Sequence, residues 1–351
     1  MTFSCSAGPS GNCQAVSAIA DGTGTGDTIT HNFISGADTD KKSYSGITFG
    51  GYDIDSNYFE YLSQGCITNN THVLHDNVFD HIYGFSDGVA HGNGCEFNTE
   101  FNSTNAVYNN IFSNPFYDGV GCGNELFQTA PQSGNSTFFF NNLIYGWGCG
   151  SNGNYFDICG SPSPSCSTTT FTENVFNNTM VMANGGLSTL VATAPSTIHI
   201  NFINNHCISP ATPASCIVTT QGGTLVQTTN ILQTITSATS QGYVATQPFA
   251  YSPTLGTNAT VGTGTNETTS LCNPLVSSGD TLLQAAGAAC KAETGYACTP
   301  NFTNHTVTCP GLPSPTARPN SAAWDAGVYQ FSGSAPPAAP YPSPNLFVEL
   351  R

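Results

Sequence analysis

Half of the chain's eight histidines and many of its acids fall within one stretch, THVLHDNVFDHIYGFSDGVAHGNGCEFN (71–98). It holds His72, His75, Asp76, Asp80, His81, Asp87, His91 and Glu96. Part of it recurs downstream. SDGVAHGNGCEF (86–97) aligns with YDGVGCGNELFQ (117–128), which superposes Asp87 on Asp118, His91 on Cys122 and Asn93 on Asn124, and NGNYFD (152–157) extends the last column with Asn154. If such segments lie in neighbouring layers of a sheet, Asp87 and Asp118 come within roughly 5 Å of each other. Two carboxylates that close share a proton, hold a cation, or work as acid and nucleophile in glycoside cleavage. His91, with Glu125 or Glu96 nearby, supplies a group for proton transfer. The expected catalytic set is Asp87, His91, Asp118 and Glu125. No cofactor motif stands out, and a calcium ion is compatible with these acids. Asp-Gly is also an ordinary turn dipeptide, so the recurring DGV serves equally well to turn the chain twice. His72 and His75, three residues apart, do not share a strand face and are read as surface residues rather than ligands.

Composition limits what such residues can act on. Charged residues make up 7% of the 351, with 21 Asp plus Glu against 5 Lys plus Arg and a net charge of -16. So few cations exclude nucleic acid and anionic membrane surfaces as partners, because nothing would displace the phosphate counterions. Acidic glycans are disfavoured for the same reason. Disorder is disfavoured too, since 22 Phe and 14 Tyr are available for a core. No transmembrane run is visible. Fourteen Cys without a CxxC pair point to disulfides in an oxidising compartment. The close spacings are Cys5/Cys13, Cys159/Cys166, Cys207/Cys216, Cys290/Cys298 and Cys298/Cys309.

The elements that must position these residues show as a repeat. THNFI (30–34), SNYFE (56–60), DNVFD (76–80), NNIFS (109–113), NNLIY (141–145), ENVFN (173–177), NHCIS (205–209) and TNILQ (229–233) align on Asn32, Asn57, Asn77, Asn110, Asn142, Asn174, Asn205 and Asn230. An apolar column follows two residues later, from Ile34 to Leu232, and another precedes by three, from Ile29 to Phe202. One picture accounts for all three columns: short strands wound in coils about 4.8 Å apart, with apolar residues stacked inside. The Asn residues form a ladder at the turns, where their amides tolerate unusual backbone angles and bond to one another. Eight rungs span on the order of 38 Å. The fold class is all-β, a right-handed parallel β-helix (solenoid) with extended loops and a disulfide-rich C-terminal cap. Residues 84–104, 115–136 and 146–168 are expected to carry a loop projecting from each coil.

The NNxF-type turns resemble those of secreted bacterial parallel β-helix proteins of the pectate-lyase-like superfamily. ARPNSAAWDAGVYQF (317–331) is similar to the RPxxxxxDxGAYE-type ending of many of its poorly characterised members. The resemblance covers about residues 27–331 and implies the architecture and an extracellular location. It leaves the activity open, because that superfamily contains lyases, hydrolases, epimerases, adhesins and tailspikes. Chemistry directed at uronates would need a basic group, and neither Arg318 nor the lysines lie in the repeat core. A neutral extracellular polysaccharide, contacted by Tyr, Phe and Trp147, fits the charge better, whether bound, hydrolysed or cleaved by a lyase-like step. The alternative is a structural or adhesive surface protein.

Residues 1–26 are read as an N-terminal cap, 27–235 as coils, 236–331 as C-terminal coils and cap, and 332–351 as a Pro-rich tail. Within 277–290 a short helix is expected, N-capped by Asp280, in a cap that protects the last rung. Residues 344–350 (PNLFVEL) could add a strand to a second copy of the chain, giving homo-assembly.

Overall fold

The computed structural model describes residues 17–20, 26–35, 45–48, 52–62, 64–68, 71–82, 93–97, 104–113, 125–129, 133–147, 154–158, 169–182, 190–211, 215–245, 250–295, 299–301, 306–308 and 315–333. Three sheets of eight parallel strands each run along one axis. The first sheet extends from Ser17–Ala20 to Ile217–Thr220, the second from Thr28–Thr30 to Thr224–Thr228, and the third from Phe33–Ser35 to Ile231–Thr234. The chain visits each sheet once per coil, so sequence-adjacent strands lie in different sheets while strands one coil apart pair in register. This is a parallel β-helix, as the repeat predicts.

Side-chain alternation places every second residue inside. Ile34, Phe59, Phe79, Phe112, Ile144, Met180, Cys207 and Leu232 form one interior file, each in register with the next. The Phe59, Phe79 and Phe112 rings stack at 4.8 Å with interplanar angles of 6°, so their spacing equals the coil rise. Each fully buried Phe or Leu contributes about 1.5–3 kcal/mol by leaving water. Opposite the three phenylalanines the first sheet carries Gly46, Gly65 and Gly94. A Cβ at Gly46 would fall 2.6 Å from the Phe59 ring, and one at Gly65 would overlap Phe79. One coil further on, where Ile144 replaces Phe, the matching first-sheet position is Leu126. Bulk is traded across the interior, layer by layer.

The corner between the second and third sheets explains the asparagines. The Oδ1 atom of Asn57 accepts from Asn32 N and Nδ2 at 2.9 and 3.0 Å, and the pattern repeats through Asn77, Asn110, Asn142, Asn178, Asn205 and Asn230. In the sixth coil the ladder residue is thus Asn178, not Asn174. Asn174 lies within the strand Phe171–Phe176 and accepts a hydrogen bond from Asn201. Its Asn-Val-Phe sequence mimics a turn, but the true turn is the following doublet Asn177–Asn178. The first residue of each corner takes a left-handed backbone: His31, Ser56, Asp76, Asn109, Asn141, Asn177, Asn204 and Thr229 all have φ between 52° and 58°. Asn tolerates that conformation better than most residues.

After Thr234 no further coil strand occurs among the described residues. The chain turns through the helix Ile235–Ser240 and folds back along the outside. The helix Thr281–Cys290 is N-capped by Asp280, whose Oδ1 accepts from Leu282 N and Leu283 N, as expected. It does not sit over the last rung. Instead it packs on the outer face of the second sheet against Val73, Tyr108, Phe140 and Phe176, because that face is apolar in the middle coils. Arg318 is buried and donates to the carbonyls of Ala292, Asp325, Gly327 and Val328 and to Asn141 Oδ1. Burial lowers its pKa to about 10, against the opposing pull of Glu293 and Asp325. The RP…D-x-G ending is therefore a clasp for this layer, with no catalytic geometry.

Disulfides join Cys207 to Cys216, as spacing predicts, and Cys272 to Cys290, which replaces the expected Cys290/Cys298 pair. Cys66–Cys95 staples neighbouring coils of the first sheet. Each of the stretches 84–104, 115–136 and 146–168 contributes a first-sheet strand: Cys95–Phe97, Glu125–Thr129 and Asn154–Ile158. Cys5, Cys13, Cys159, Cys166, Cys298, Cys309 and the tail strand 344–350 lie outside the described residues. Among the described residues no helix is long and apolar enough to cross a membrane.

Candidate functional site

Asp87, His91 and Asp118 lie outside the described residues. Glu125 opens a first-sheet strand, its backbone in register with Asn154. The alignment that superposed these segments slips by one residue within the strands, since Cys95 pairs with Phe127, an offset of 32 rather than 31. The register files Cys95, Phe127 and Phe156 together in the core, with Leu126 and Tyr155 buried beside them.

Two other polar groups are assembled at the second and third coils, one on each side of the ladder corner. On the third sheet, the residue three past each ladder Asn faces outward, which files Ser35, Glu60, Asp80 and Ser113 in register. Glu60 and Asp80 thus sit on adjacent strands, about 5 Å apart at the backbone. Ser35 Oγ donates to Glu60 Oε1 at 2.8 Å and Ser113 Oγ to Asp80 Oδ1 at 2.7 Å. Tyr58 OH lies 3.4 Å from Asp80 Oδ2, and His81 Nδ1 lies 2.9 Å from the same oxygen. Burial, then the charges of Asp80 and Glu60, hold the Tyr58 phenol protonated well above its ordinary range. The Tyr58 ring also packs on Phe33, centroids 5.6 Å apart, and both rings are part-exposed.

On the second sheet, the residue two before each ladder Asn faces outward, giving the file Thr30, Asp55, His75, Tyr108, Phe140 and Phe176. The file changes from polar to aromatic where the C-terminal layer covers it. His75 stacks on Tyr108 at 4.8 Å with parallel rings. Its Nδ1 lies 2.8 Å from Asp76 Oδ2 and its Nε2 3.4 Å from Asp53 Oδ1. Burial opposes a charge on this imidazole, but hydrogen bonds and charges from Asp53 and Asp76 outweigh it and push the pKa to about 10. Thr30 Oγ1 donates to Asp55 Oδ1 at 2.8 Å. Beside this group, His72 stacks on Tyr52 and lies 3.3 Å from Asp280 Oδ2. Burial would raise the Asp280 pKa, yet the Leu283 N–H, the His72 charge and the Leu282 N–H together lower it. Neither His72 nor His75 is a free surface residue: His72 is 4% exposed, and each imidazole faces carboxylate.

Asp80 and His75 belong to the stretch that the sequence singles out. Glu60, Asp53 and Asp55 were missed. They could have been found by reading one residue to either side of the inward apolar columns, where the outward files must lie. No family model, no curated protein and no solved structure matches this chain.

Proposed function

We propose that this is a secreted β-helix protein that binds or processes a neutral extracellular polysaccharide on the outer face of its third sheet. The observation that carries the reading is the file Ser35–Glu60–Asp80–Ser113, which places two carboxylates and two hydroxyls on one rigid strip beside the Phe33–Tyr58 ring pair. Sugars are held by hydrogen bonds to carboxylates and hydroxyls and by packing of their C–H faces on aromatic rings. The backbones that carry Glu60 and Asp80 are about 5 Å apart, close enough for their carboxyl groups to reach the separation of a retaining hydrolase pair. The net charge of -16, with 5 Lys plus Arg in the whole chain, favours neutral over acidic sugars. The disulfides agree with an oxidising, extracellular setting. The third-sheet strip stands beside the pectate-lyase-like resemblance without needing a uronate-directed base.

The test is a screen of the intact protein against neutral oligosaccharides, followed by calorimetry and release of reducing ends for each hit. The E60Q/D80N double variant should lose at least tenfold in affinity, or all turnover, while keeping its melting temperature within a few degrees. Absence of any neutral-glycan hit, or equal binding by the double variant, overturns the proposal.

A second reading, self-assembly, draws on the last coil. Among the described residues, Ile217–Thr220, Thr224–Thr228 and Ile231–Thr234 have a strand neighbour on one side only, and Val218 and Val226 are exposed there. An open edge of this kind accepts an added strand, for which residues 344–350 are the candidate. Light scattering of the full chain against a chain ending at residue 333 decides it. Equal mass for both at all concentrations removes the tail from any assembly.

A further inference from the structure

We infer that His75 Nε2, with the carboxylates of Asp53 and Asp55, forms a seat for one divalent transition-metal ion of the Zn2+ type. Asp53 and Asp55 are two apart on one strand, so they share its outer face, and His75 is the neighbour of Asp55 on the next coil. One donor atom from each of the three lies within 4.8 Å of the other two. A tetrahedral shell with bonds of about 2.1 Å has its ligand atoms roughly 3.4 Å apart. Nε2 and Asp53 Oδ1 already stand at 3.4 Å, and rotation of the Asp55 carboxylate closes the remainder.

Two further observations separate this group from an ordinary acidic patch. Asp76 holds Nδ1 at 2.8 Å, the carboxylate–imidazole contact that fixes the tautomer of a metal-binding histidine and frees Nε2 for the ion. Asp53 is 9% exposed, and its Oδ1, aimed at Nε2, takes no well-formed hydrogen bond. Thr30 orients the Asp55 carboxylate from the other side. Neither Asp53 nor Asp55 meets a Lys or Arg among the described residues, so no such side chain competes with an ion for their oxygens. A nitrogen donor with two carboxylates suits zinc or manganese better than calcium, which prefers oxygen alone. Three protein ligands leave a position for water.

The inference does not depend on the glycan reading, because the two groups occupy opposite sides of the corner. The full chain, stripped with a chelator, is titrated with Zn2+ by calorimetry at neutral pH. One saturable ion is expected, weakened 100-fold or more in His75→Gln and Asp55→Asn and about tenfold in Asp76→Asn. The E60Q/D80N variant should bind zinc as the parent does, and Asp55→Asn should leave any glycan affinity intact. Should the variants fold poorly, Co2+ added to the parent protein gives an independent readout, a visible absorption band of a low-coordinate N/O site. No saturable zinc, zinc binding unchanged in His75→Gln, no cobalt band, or Ca2+ bound as tightly as Zn2+ overturns it.

Discussion

At the scale of single residues, the same side chain is driven in opposite directions by what surrounds it. His75 is held charged by carboxylates, whereas His206 is fully buried beside an amide and an aromatic ring. Its Nε2 lies 2.7 Å from Gln233 Oε1, and Tyr243 meets it edge-on with centroids 4.6 Å apart. Burial lowers its pKa to about 4, only partly offset by the Gln233 hydrogen bond. The ordinary value near 6.5 applies in the unfolded chain. Above pH 6.5 both states are neutral at this residue and it contributes no pH dependence. As pH falls from 6.5 to 4 the unfolded chain takes up a proton that the folded chain refuses, and stability drops by about 1.4 kcal/mol per pH unit, roughly 3 kcal/mol in all. Below pH 4 the loss is complete. Urea unfolding at pH 7, 5.5 and 4 should therefore show a steeper decline for the parent than for His206→Gln. Parallel curves would mean that the buried imidazole is not what limits acid stability.

At the scale of elements, the ladder and its flanking files do different work. An inner Asn satisfies several main-chain groups that no water reaches: Asn110 Nδ2 donates to Leu74 O, Tyr108 O and Asn142 Oδ1, while its Oδ1 receives Asn77 N and Nδ2. Asn110→Ala strands these partners in a dry interior and should cost about 3 kcal/mol or more, whereas Asn32→Ala, at the open first coil, should cost about 1 kcal/mol. Denaturant midpoints compare the two, and equal losses would show that the ladder is not buried as described. The inward columns were legible in the sequence because their apolar character and the Asn recur at matching offsets, and seven of the eight Asn positions are correct. The sixth failed because Asn174-Val-Phe176 satisfies the same short pattern one turn early. Only the doublet Asn177–Asn178 distinguishes them, through the left-handed residue that must precede each ladder Asn. The outward files were harder to see, since Ser, Glu, Asp and His carry no common property along a column. Glu60 was passed over in this way, although its neighbour Phe59 was read correctly.

At the scale of the molecule, the C-terminal layer decides which parts of the sheets remain available. Asn141, Asn177 and Asn204 turn their amides outward to Ala292 O, to Asp325 O and Gly327 O, and to Thr265 O, while the Asn that follows each one turns inward. The corner is thus a spine with two sides, one binding coil to coil and one binding coils to the returning chain. Arg318 closes the outer side, backed by Trp324 at 5.3 Å, and the Asp325 carboxylate accepts from Gly262 N and Phe331 N. Gly327 completes it, because its φ of 85° and its contact with Thr179 leave no room for a side chain. Arg318→Met removes the buried charge that faces Glu293 and Asp325 and takes one donor from acceptors that the Asn141 and Asn177 amides and the Thr294 N–H still partly serve, at a cost of about 3 kcal/mol. The coils have their own core and ladder, so this loss should fall on the layer alone, as an opening of lower free energy than global unfolding. Hydrogen exchange on the variant should show amides within 260–295 and 315–331 losing protection while those of 138–140, 175–176 and 200–203 keep theirs. The newly bared aromatic file Tyr108–Phe140–Phe176 should bind a hydrophobic dye. Equal loss of protection across both sets would mean that coils and layer are one cooperative unit, and that Arg318 supports the whole solenoid rather than the segment folded against it.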